Sequence, residues 1–273
     1  AAHNFPALDL NHISVRNDDG VAYLEAMSPV DCIFLDPARR NEHGGKTVAI
    51  SDCEPNVAEL EGLLLSKANR IMIKLSPMLD LSQALKELPH TQEVHIISVN
   101  NECKELLLLL GQTAPEEIPV HCVNLSTKGE QEKQLFVFTR EQEQHSECSY
   151  TDTLGNYLYE PNASLLKAGA FRSIAAAYSV KKLHPNSHLY TSETQIEGFP
   201  GRTFRIINRC SLNKKEIKEN LSDLKKANIT VRNFPATVAE LRKRIKLAEG
   251  GDTYLFASTL NDGQKILIRC GKV

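Results

Sequence analysis

The feature that most constrains the fold is an alternation of short apolar runs with longer amphipathic stretches between residues 13 and 140. Runs rich in β-branched residues favour strands, and the stretches between them have helical spacing. The runs around Ile33 and Ile71 are apolar almost throughout, which is typical of parallel strands covered on both faces. The predicted strands are 13–16, 31–36, 70–75, 93–99, 120–125 and 134–140, with helices near 56–66, 80–88 and 102–110.

This alternation predicts an α/β fold with a doubly wound, mostly parallel sheet. A short polar turn separates the last two strands, so we expect them to form an antiparallel hairpin at the sheet edge. The polar segment from Glu141 to Cys148 predicts a linker, and the first domain should therefore span residues 1–145. Residues 146–201 indicate a small mixed α/β segment with a helix at 163–177. Residues 202–273 indicate a compact module with the element order β-α-β-α-β-β.

The chain has 273 residues, of which 41% are hydrophobic and 24% charged. This composition is that of a globular protein, and no apolar run approaches the roughly 18 residues of a membrane span. Its seven cysteines are odd in number and form no CxxC pair, which predicts buried thiols in a reducing cytoplasm. The sequence starts at Ala1 without a signal-like segment, and we expect it to be part of a longer protein.

The net charge of −2 conceals a strong asymmetry between the two ends of the chain. Residues 202–273 carry 16 Lys and Arg against 7 Asp and Glu, a net charge of +9, and the remainder carries 16 against 27, a net charge of −11. A small basic module of this kind is typical of a surface that neutralises phosphates. A solvated helix face is the alternative. The clusters are Lys214-Lys215, Lys225-Lys226 and Arg242-Lys243-Arg244.

The most specific local motif is Asp36-Pro37, which ends an apolar predicted strand. In an open parallel sheet ligands bind beyond the carboxyl ends of strands, so Asp36 would project into a crevice. The alternative is an ordinary strand-to-turn Asp-Pro. Arg39 and Arg40 follow directly and could hold an RNA phosphate, or they could simply pair with surface carboxylates.

Three segments together resemble class I S-adenosylmethionine-dependent methyltransferases. They are Asp36-Pro-Ala-Arg-Arg, Cys53-Glu-Pro and Ile73-Lys-Leu-Ser-Pro. The segment from Tyr159 to Phe171 and the basic C-terminal end are similar to the branch of that family with a THUMP-like C-terminal domain. The resemblance implies a Rossmann-like methyltransferase sheet, S-adenosylmethionine as the methyl donor, and Asp36-Pro37 beside both the donor and the acceptor.

The resemblance also implies an acidic contact to the adenine, for which Asp19 is the better match and Asp18 the alternative. Lys74 and Ser76 would line the acceptor pocket, although a strand-end Ser-Pro turn explains them as simply. A serine at position 76 disfavours carbon-5 methylation of uridine, which would use a cysteine there. The family's Gly-rich loop and ribose-binding acidic residue have no counterpart. We expect both to lie upstream of Ala1 and the chain as given to be inactive.

Two other motifs lack the residues or the spacing that a phosphate loop or a metal site requires. The Gly44-Gly-Lys-Thr47 segment lacks the earlier glycine of a phosphate loop, because Arg40 stands there. His184 and His188 lie in a Pro-Asn loop where helical ligand spacing has no meaning, so we expect no metal site. The sequence therefore predicts an S-adenosylmethionine-dependent methyltransferase that acts on RNA, with no membrane association. The alternative is a non-catalytic RNA- or partner-binding module on the same scaffold.

Overall fold

The computed structural model describes residues 1–39, 49–127 and 133–273. Two compact units make up this part of the chain. The first consists of residues 1–92 and 108–115, and the second of residues 93–107 and 116–273. Within the three described ranges, no helix has the length and apolar character needed to cross a bilayer.

The helices in chain order are α1 Asn4–Ala7, α2 Gly20–Ala26, α3 Val57–Lys67, α4 Leu81–Glu87, α5 Arg140–His145, α6 Ala163–Ala168, α7 Phe171–Ala177, α8 Lys214–Leu221 and α9 Val238–Ile245. The strands are β1 Val30–Leu35, β2 Ala38–Arg39, β3 Cys53–Glu54, β4 Ala68–Leu75, β5 Thr91–Val99, β6 Glu102–Gly111, β7 Pro119–Leu125, β8 Lys133–Thr139, β9 Tyr157–Pro161, β10 Lys181–Lys182, β11 Tyr190–Ser192, β12 Gly201–Cys210, β13 Asn228–Arg232, β14 Thr253–Thr259 and β15 Lys265–Lys272.

The first unit is built on two parallel strands, β1 and β4, whose register places Leu35 opposite Ile73. Helix α3 leads into β4, and its first turn is capped by Asn56, which accepts a hydrogen bond from the Ala58 N–H. The side of β4 that carries Ile73 is buried, whereas Phe34 of β1 is 57% exposed. The parallel register brings the carboxyl ends of both strands to the same edge of the sheet.

Two predictions for the sheet region are wrong. Residues 102–110 form the strand β6 rather than a helix. They follow a two-residue turn in which Asn100 and Asn101 have φ values of 50° and 65°, the conformation of a tight β-hairpin. Residues 13–16 form no strand, and Ile13 and Val15 are 39% and 44% exposed, so their apolar side chains do not gain the burial that stabilises a core strand.

In the second unit the sheet runs from the start of β6 through β5 and β7 to β8. Strands β5 and β7 are parallel, with His95 opposite His121. Strands β7 and β8 are antiparallel and β8 ends the strand order, which confirms the predicted edge hairpin. Buried and partly exposed side chains alternate along β5, so that Val94 and Ile96 face the core and Glu93 and His95 the opposite side.

The second unit also contains a seven-stranded sheet in the order β10-β11-β9-β12-β15-β14-β13. Its strands are antiparallel except for β13 and β14, which are parallel. The order β12, α8, β13, α9, β14, β15 is the one predicted for the basic module. Gly201 begins β12 where a Cβ atom would lie 2.1 Å from the Glu160 carbonyl oxygen, so no side chain fits there.

Both faces of this sheet are covered. Leu221 of α8 and Leu241 of α9 pack against Leu255 and Leu267 on one face. On the other face Phe256 and its neighbours pack against the 183–189 segment. Successive side chains of β14 and β15 point to opposite faces of the sheet, so the same two strands contribute residues to the hydrophobic core on each face.

The helix predicted at 163–177 is two helices, α6 and α7. Gly169 ends α6 with a φ of 77°, a left-handed conformation that stops the helix at little cost for glycine. The chain thus has a mixed α/β fold with small C-terminal α+β domains, as predicted. The domain boundaries at residues 145 and 201 stay predictions.

Candidate functional site

The first candidate site lies where β1 and β4 end. Asp36 follows β1, and its Oδ2 atom lies 2.7 Å from the Nζ atom of Lys74 on β4. The ion pair is accessible to solvent, since the side chains of Asp36 and Lys74 are 55% and 30% exposed. The structure therefore brings together two of the residues that the sequence singled out. An anionic oxygen held by an ammonium group at a strand end can orient a polar ligand.

The other predicted residues of this site that the structure describes are Pro37, Ser76 and Arg39. Pro37 is half-buried beside Asp36. The Ser76 hydroxyl accepts a hydrogen bond from the Met78 N–H at 3.2 Å, so it supports the turn after β4. Arg39 lies in β2, whose backbone pairs with Cys53 of β3. Arg40 and the Gly44–Thr47 segment lie outside the described residues.

The predicted adenine-binding residues have distinct surroundings. Asp19 caps helix α2, and its Oδ1 atom accepts hydrogen bonds from Val21 N–H at 3.0 Å and Ala22 N–H at 2.8 Å. Asp18 instead lines a cleft of about 620 Å³ together with Arg16, residues of α2 and Val30, the first residue of β1. One oxygen of Asp19 is thus engaged by the helix, whereas Asp18 faces an open volume.

The basic residues of α9 differ in exposure and in whether their side chains are held by hydrogen bonds. Arg242 donates from Nη1 to the Ala227 carbonyl at 3.2 Å, and its side chain is only 20% exposed. Arg244 donates from Nη2 to the Leu212 carbonyl at 2.9 Å. Lys243 is exposed. The two arginines therefore also fasten loops, and the exposed lysines of α8, of α9 and of the residue after α9 form the more accessible part of the basic surface. These lysines are Lys214, Lys215, Lys218, Lys243 and Lys246.

A buried ion network in the C-terminal part was missed by the sequence reasoning. The Glu160 side chain is 2% exposed and pairs with two arginines. Arg202 donates from Nε to Oε2 at 2.8 Å and also from Nη2, while Arg232 donates from Nη2 to Oε1 at 2.8 Å. The signal was the acidic residue inside the otherwise apolar Tyr157–Pro161 strand, but its partners lie 42 and 72 residues away.

An amide-rich cleft of about 640 Å³ was also missed. Gln134 connects its walls: its Oε1 atom accepts from Asn124 Nδ2 at 3.2 Å and Asn162 Nδ2 at 3.1 Å, and its Nε2 atom donates to the Gly201 carbonyl. Asn162 also caps α6. These amides hold the loops in place, so their first role is structural.

The third cluster consists of Glu93, His95 and His121 on the partly exposed side of β5 and β7. Burial, with the nearby His95 as a further cause, lowers the pKa of His121. Neutral imidazoles are the form that binds metals. By contrast, His184 and His188 make separate contacts: His184 Nδ1 bonds Asn233 Nδ2, and His188 stacks on the Phe171 ring.

The cysteines are spread over both units. All seven are free thiols in the described residues, and four of them are buried: Cys53, Cys122, Cys210 and Cys270. Cys103 and Cys148 are half-buried, and Cys32 is exposed, so the prediction of a buried thiol is wrong for Cys32. Burial raises the pKa of Cys270 to about 12 and that of Cys210 to about 11. These thiols therefore stay protonated and unreactive at neutral pH, as expected for core residues.

Comparisons with known proteins find that two segments of the C-terminal part are similar to known domain families. Residues 157–200 match a ferredoxin-like domain family, and residues 201–272 match the THUMP domain-like family. The chain ends in a THUMP-like domain. The boundary between the two matches coincides with the start of β12, where Gly201 meets the β9 backbone.

The chain is also similar to a crystal structure described as that of a "putative methyltransferase from Porphyromonas gingivalis W83". The two share 41% sequence identity with a TM-score of 0.81, over 89% of this chain and 60% of that one. The chain thus spans less than two thirds of the length of that structure. No curated protein matches the sequence.

Proposed function

We propose that this protein is an S-adenosylmethionine-dependent methyltransferase that acts on RNA. The observation that carries the proposal is the Asp36–Lys74 ion pair of 2.7 Å at the carboxyl ends of two parallel strands. The similarity to the P. gingivalis structure supports methyl transfer, and the basic THUMP-like domain supports a nucleic-acid substrate.

In this proposal Asp36 orients the acceptor. Its carboxylate accepts a hydrogen bond from an amino or ring N–H, which points the nitrogen lone pair along the line of attack. When bound, S-adenosylmethionine supplies a methyl group activated by the positive sulfonium. Lys74 holds the Asp36 carboxylate in place, and Pro37 restricts the backbone beside it. Ser76, in the turn after β4, shapes the acceptor side in this proposal.

The cofactor fit rests on the cleft next to α2. Its volume of about 620 Å³ is large enough for a nucleoside, and Asp18 on its wall offers a carboxylate for the adenine amino group. Asp19 can bind the adenine only through Oδ2, because Oδ1 accepts the two hydrogen bonds of the helix cap. The cleft extends to Val30 at the start of β1, whereas Asp36 follows the end of that strand, so in this proposal the cleft accounts for the adenine contact alone.

The catalytic assignment is tested by measuring transfer of a radiolabelled methyl group to RNA by the full-length protein. Asp36→Asn should lower the rate by at least about 100-fold, the usual effect of losing an acid–base or orienting group. Asp31→Asn on the same strand is the matched control, since Asp31 is exposed and precedes the site. Full activity in Asp36→Asn would contradict the assignment and favour a binding module without catalysis.

The substrate assignment is tested separately by the salt dependence of RNA binding. The plot of log K against log salt has a negative slope, to which each phosphate contact contributes about 0.7 to 0.9. Replacing Lys214, Lys215, Lys243 and Lys246 with Gln should therefore reduce the magnitude of that slope by up to about 3.6. The control is Lys86→Gln on α4, outside the basic module. An unchanged slope in the quadruple variant would remove this surface from RNA binding.

A further inference from the structure

The partly exposed side of strands β5 and β7 carries a cluster with the chemistry of a metal site. Because the two strands are parallel and in register, His95 stands directly opposite His121. Glu93 precedes His95 by two residues and therefore lies on the same side of the sheet. The fold thus brings two imidazoles and one carboxylate from separate strands to one point.

The contacts inside this cluster are short. The Nε2 atom of His95 lies 3.1 Å from Oε2 of Glu93, and that of His121 lies 3.9 Å from the same oxygen. The two imidazole rings are stacked, with centroids 4.4 Å apart and planes within 8°. One ligand atom from each residue lies within 4.8 Å of the other two.

We propose that Glu93, His95 and His121 bind a divalent transition metal ion of the Zn²⁺ type. Zinc prefers imidazole nitrogen and carboxylate oxygen at about 2.0 Å in a tetrahedral arrangement, which places neighbouring ligand atoms about 3.3 Å apart. The two N···O distances of 3.1 and 3.9 Å lie on either side of that value. A bound ion must lie in the plane of each imidazole ring, so the two stacked rings have to turn out of their parallel arrangement for both Nε2 atoms to face it.

Solvent exposure and nearby charge determine whether an ion can reach the site and how tightly it binds. The side chains of His95, His121 and Glu93 are 27%, 26% and 45% exposed, so an ion can reach them from solvent. Three protein ligands leave a fourth position open to water or another ligand. The positive charge of Lys133 near His121 opposes a cation, so we expect a modest affinity. The proposal is independent of methyl transfer, because it uses none of the residues assigned to that reaction.

The test is isothermal titration calorimetry of the full chain with ZnCl₂, with Co²⁺ visible absorption as a second measurement. We expect one Zn²⁺ ion to bind per chain, at the Glu93-His95-His121 cluster. Zn²⁺ should bind at least about tenfold more weakly to His95→Ala and to His121→Ala. The matched control is His90→Ala, since His90 also lies beside a glutamate, with Nδ1 3.3 Å from Oε2 of Glu61, but without a second histidine.

Glu93→Gln is a second variant that keeps the shape of the third ligand and removes its charge. It allows the test to be made even if a histidine variant fails to fold. It should also weaken Zn²⁺ binding, and the Co²⁺ spectrum should lose intensity in every variant of the cluster but not in His90→Ala. Absence of Zn²⁺ binding to the unmodified chain would overturn the proposal. Equal binding by the unmodified chain and folded cluster variants would overturn it as well.

Discussion

The Glu160 network allows a quantitative test of how the C-terminal domains are held together. We consider Glu160→Gln, which preserves the size of the side chain and removes its charge. Glu160 is 2% exposed, while its partners Arg202 and Arg232 are 39% and 35% exposed. Leaving a fully buried charge without its partner costs about 3 to 5 kcal/mol. Because both arginines remain partly hydrated after the change, we expect a loss of about 2 to 3 kcal/mol.

The assay is equilibrium urea unfolding at pH 7, followed by far-ultraviolet circular dichroism. The matched control is Asp223→Asn, which also breaks a two-bond contact to an arginine. Arg269 donates from Nη1 and Nη2 to the Asp223 carboxylate at 2.9 and 2.7 Å, but Asp223 is 62% exposed. The Arg269 side chain is only 16% exposed, but its Nη1 atom also donates to the Asn220 carbonyl at 3.1 Å, so the guanidinium keeps a partner after the change. Because the lost carboxylate is exposed and this partner remains, the loss should be clearly smaller. Equal losses in the two variants would refute the reasoning, because burial would then have no effect.

The remaining predictions concern pH and the α2 cap. Burial, followed by the positive charges of Lys182 and Arg232, lowers the pKa of His188 to about 4. An unfolded histidine titrates near 6.5, so the stability contribution is present above about pH 6.5 and is lost as the pH falls to about 4, by at most about 3 kcal/mol. Urea midpoints against pH should show this slope, and it should be reduced in His188→Asn, whose side chain tolerates the φ of 50° at this position. An unchanged slope would exclude His188 as its source. Asp19→Ala should cost about 1 kcal/mol of stability in thermal unfolding through loss of the α2 cap. Asp18→Ala should leave stability unchanged and weaken S-adenosylmethionine binding in equilibrium dialysis of the full-length protein. The reverse pattern would assign the two aspartates the opposite roles.

The misassigned strand β6 shows why part of the sheet could not be predicted from apolar content. The run from Leu106 to Leu110 is continuous, so it fits a buried helix as well as a strand. Only alternate residues, Leu106, Leu108 and Leu110, are fully buried. The decisive signal was the preceding Asn100-Asn101 pair, because asparagine tolerates the left-handed conformation that a two-residue hairpin requires.

The candidate site was predictable to the extent that it depends on strand ends. Asp36 and Lys74 each occupy the end of an apolar run, and parallel pairing then brings them together. The His95 and His121 pair depends instead on the register of β5 against β7, which is set by the packing of the whole sheet. Local pattern does not reveal that register, so the sequence reasoning missed the cluster.

The basic module shows the limit of charge counting. The net charge of +9 over residues 202–273 favours a phosphate-binding surface, but it does not distinguish charges that face solvent from charges that support the fold. Arg242 and Arg244 both donate to backbone carbonyls, so reversing their charge would disturb loops as well as any RNA contact. Exposed lysines such as Lys243 carry the same charge without such a bond in the described contacts. A change of salt slope in lysine variants therefore reports on RNA binding itself, whereas the same change in arginine variants would not.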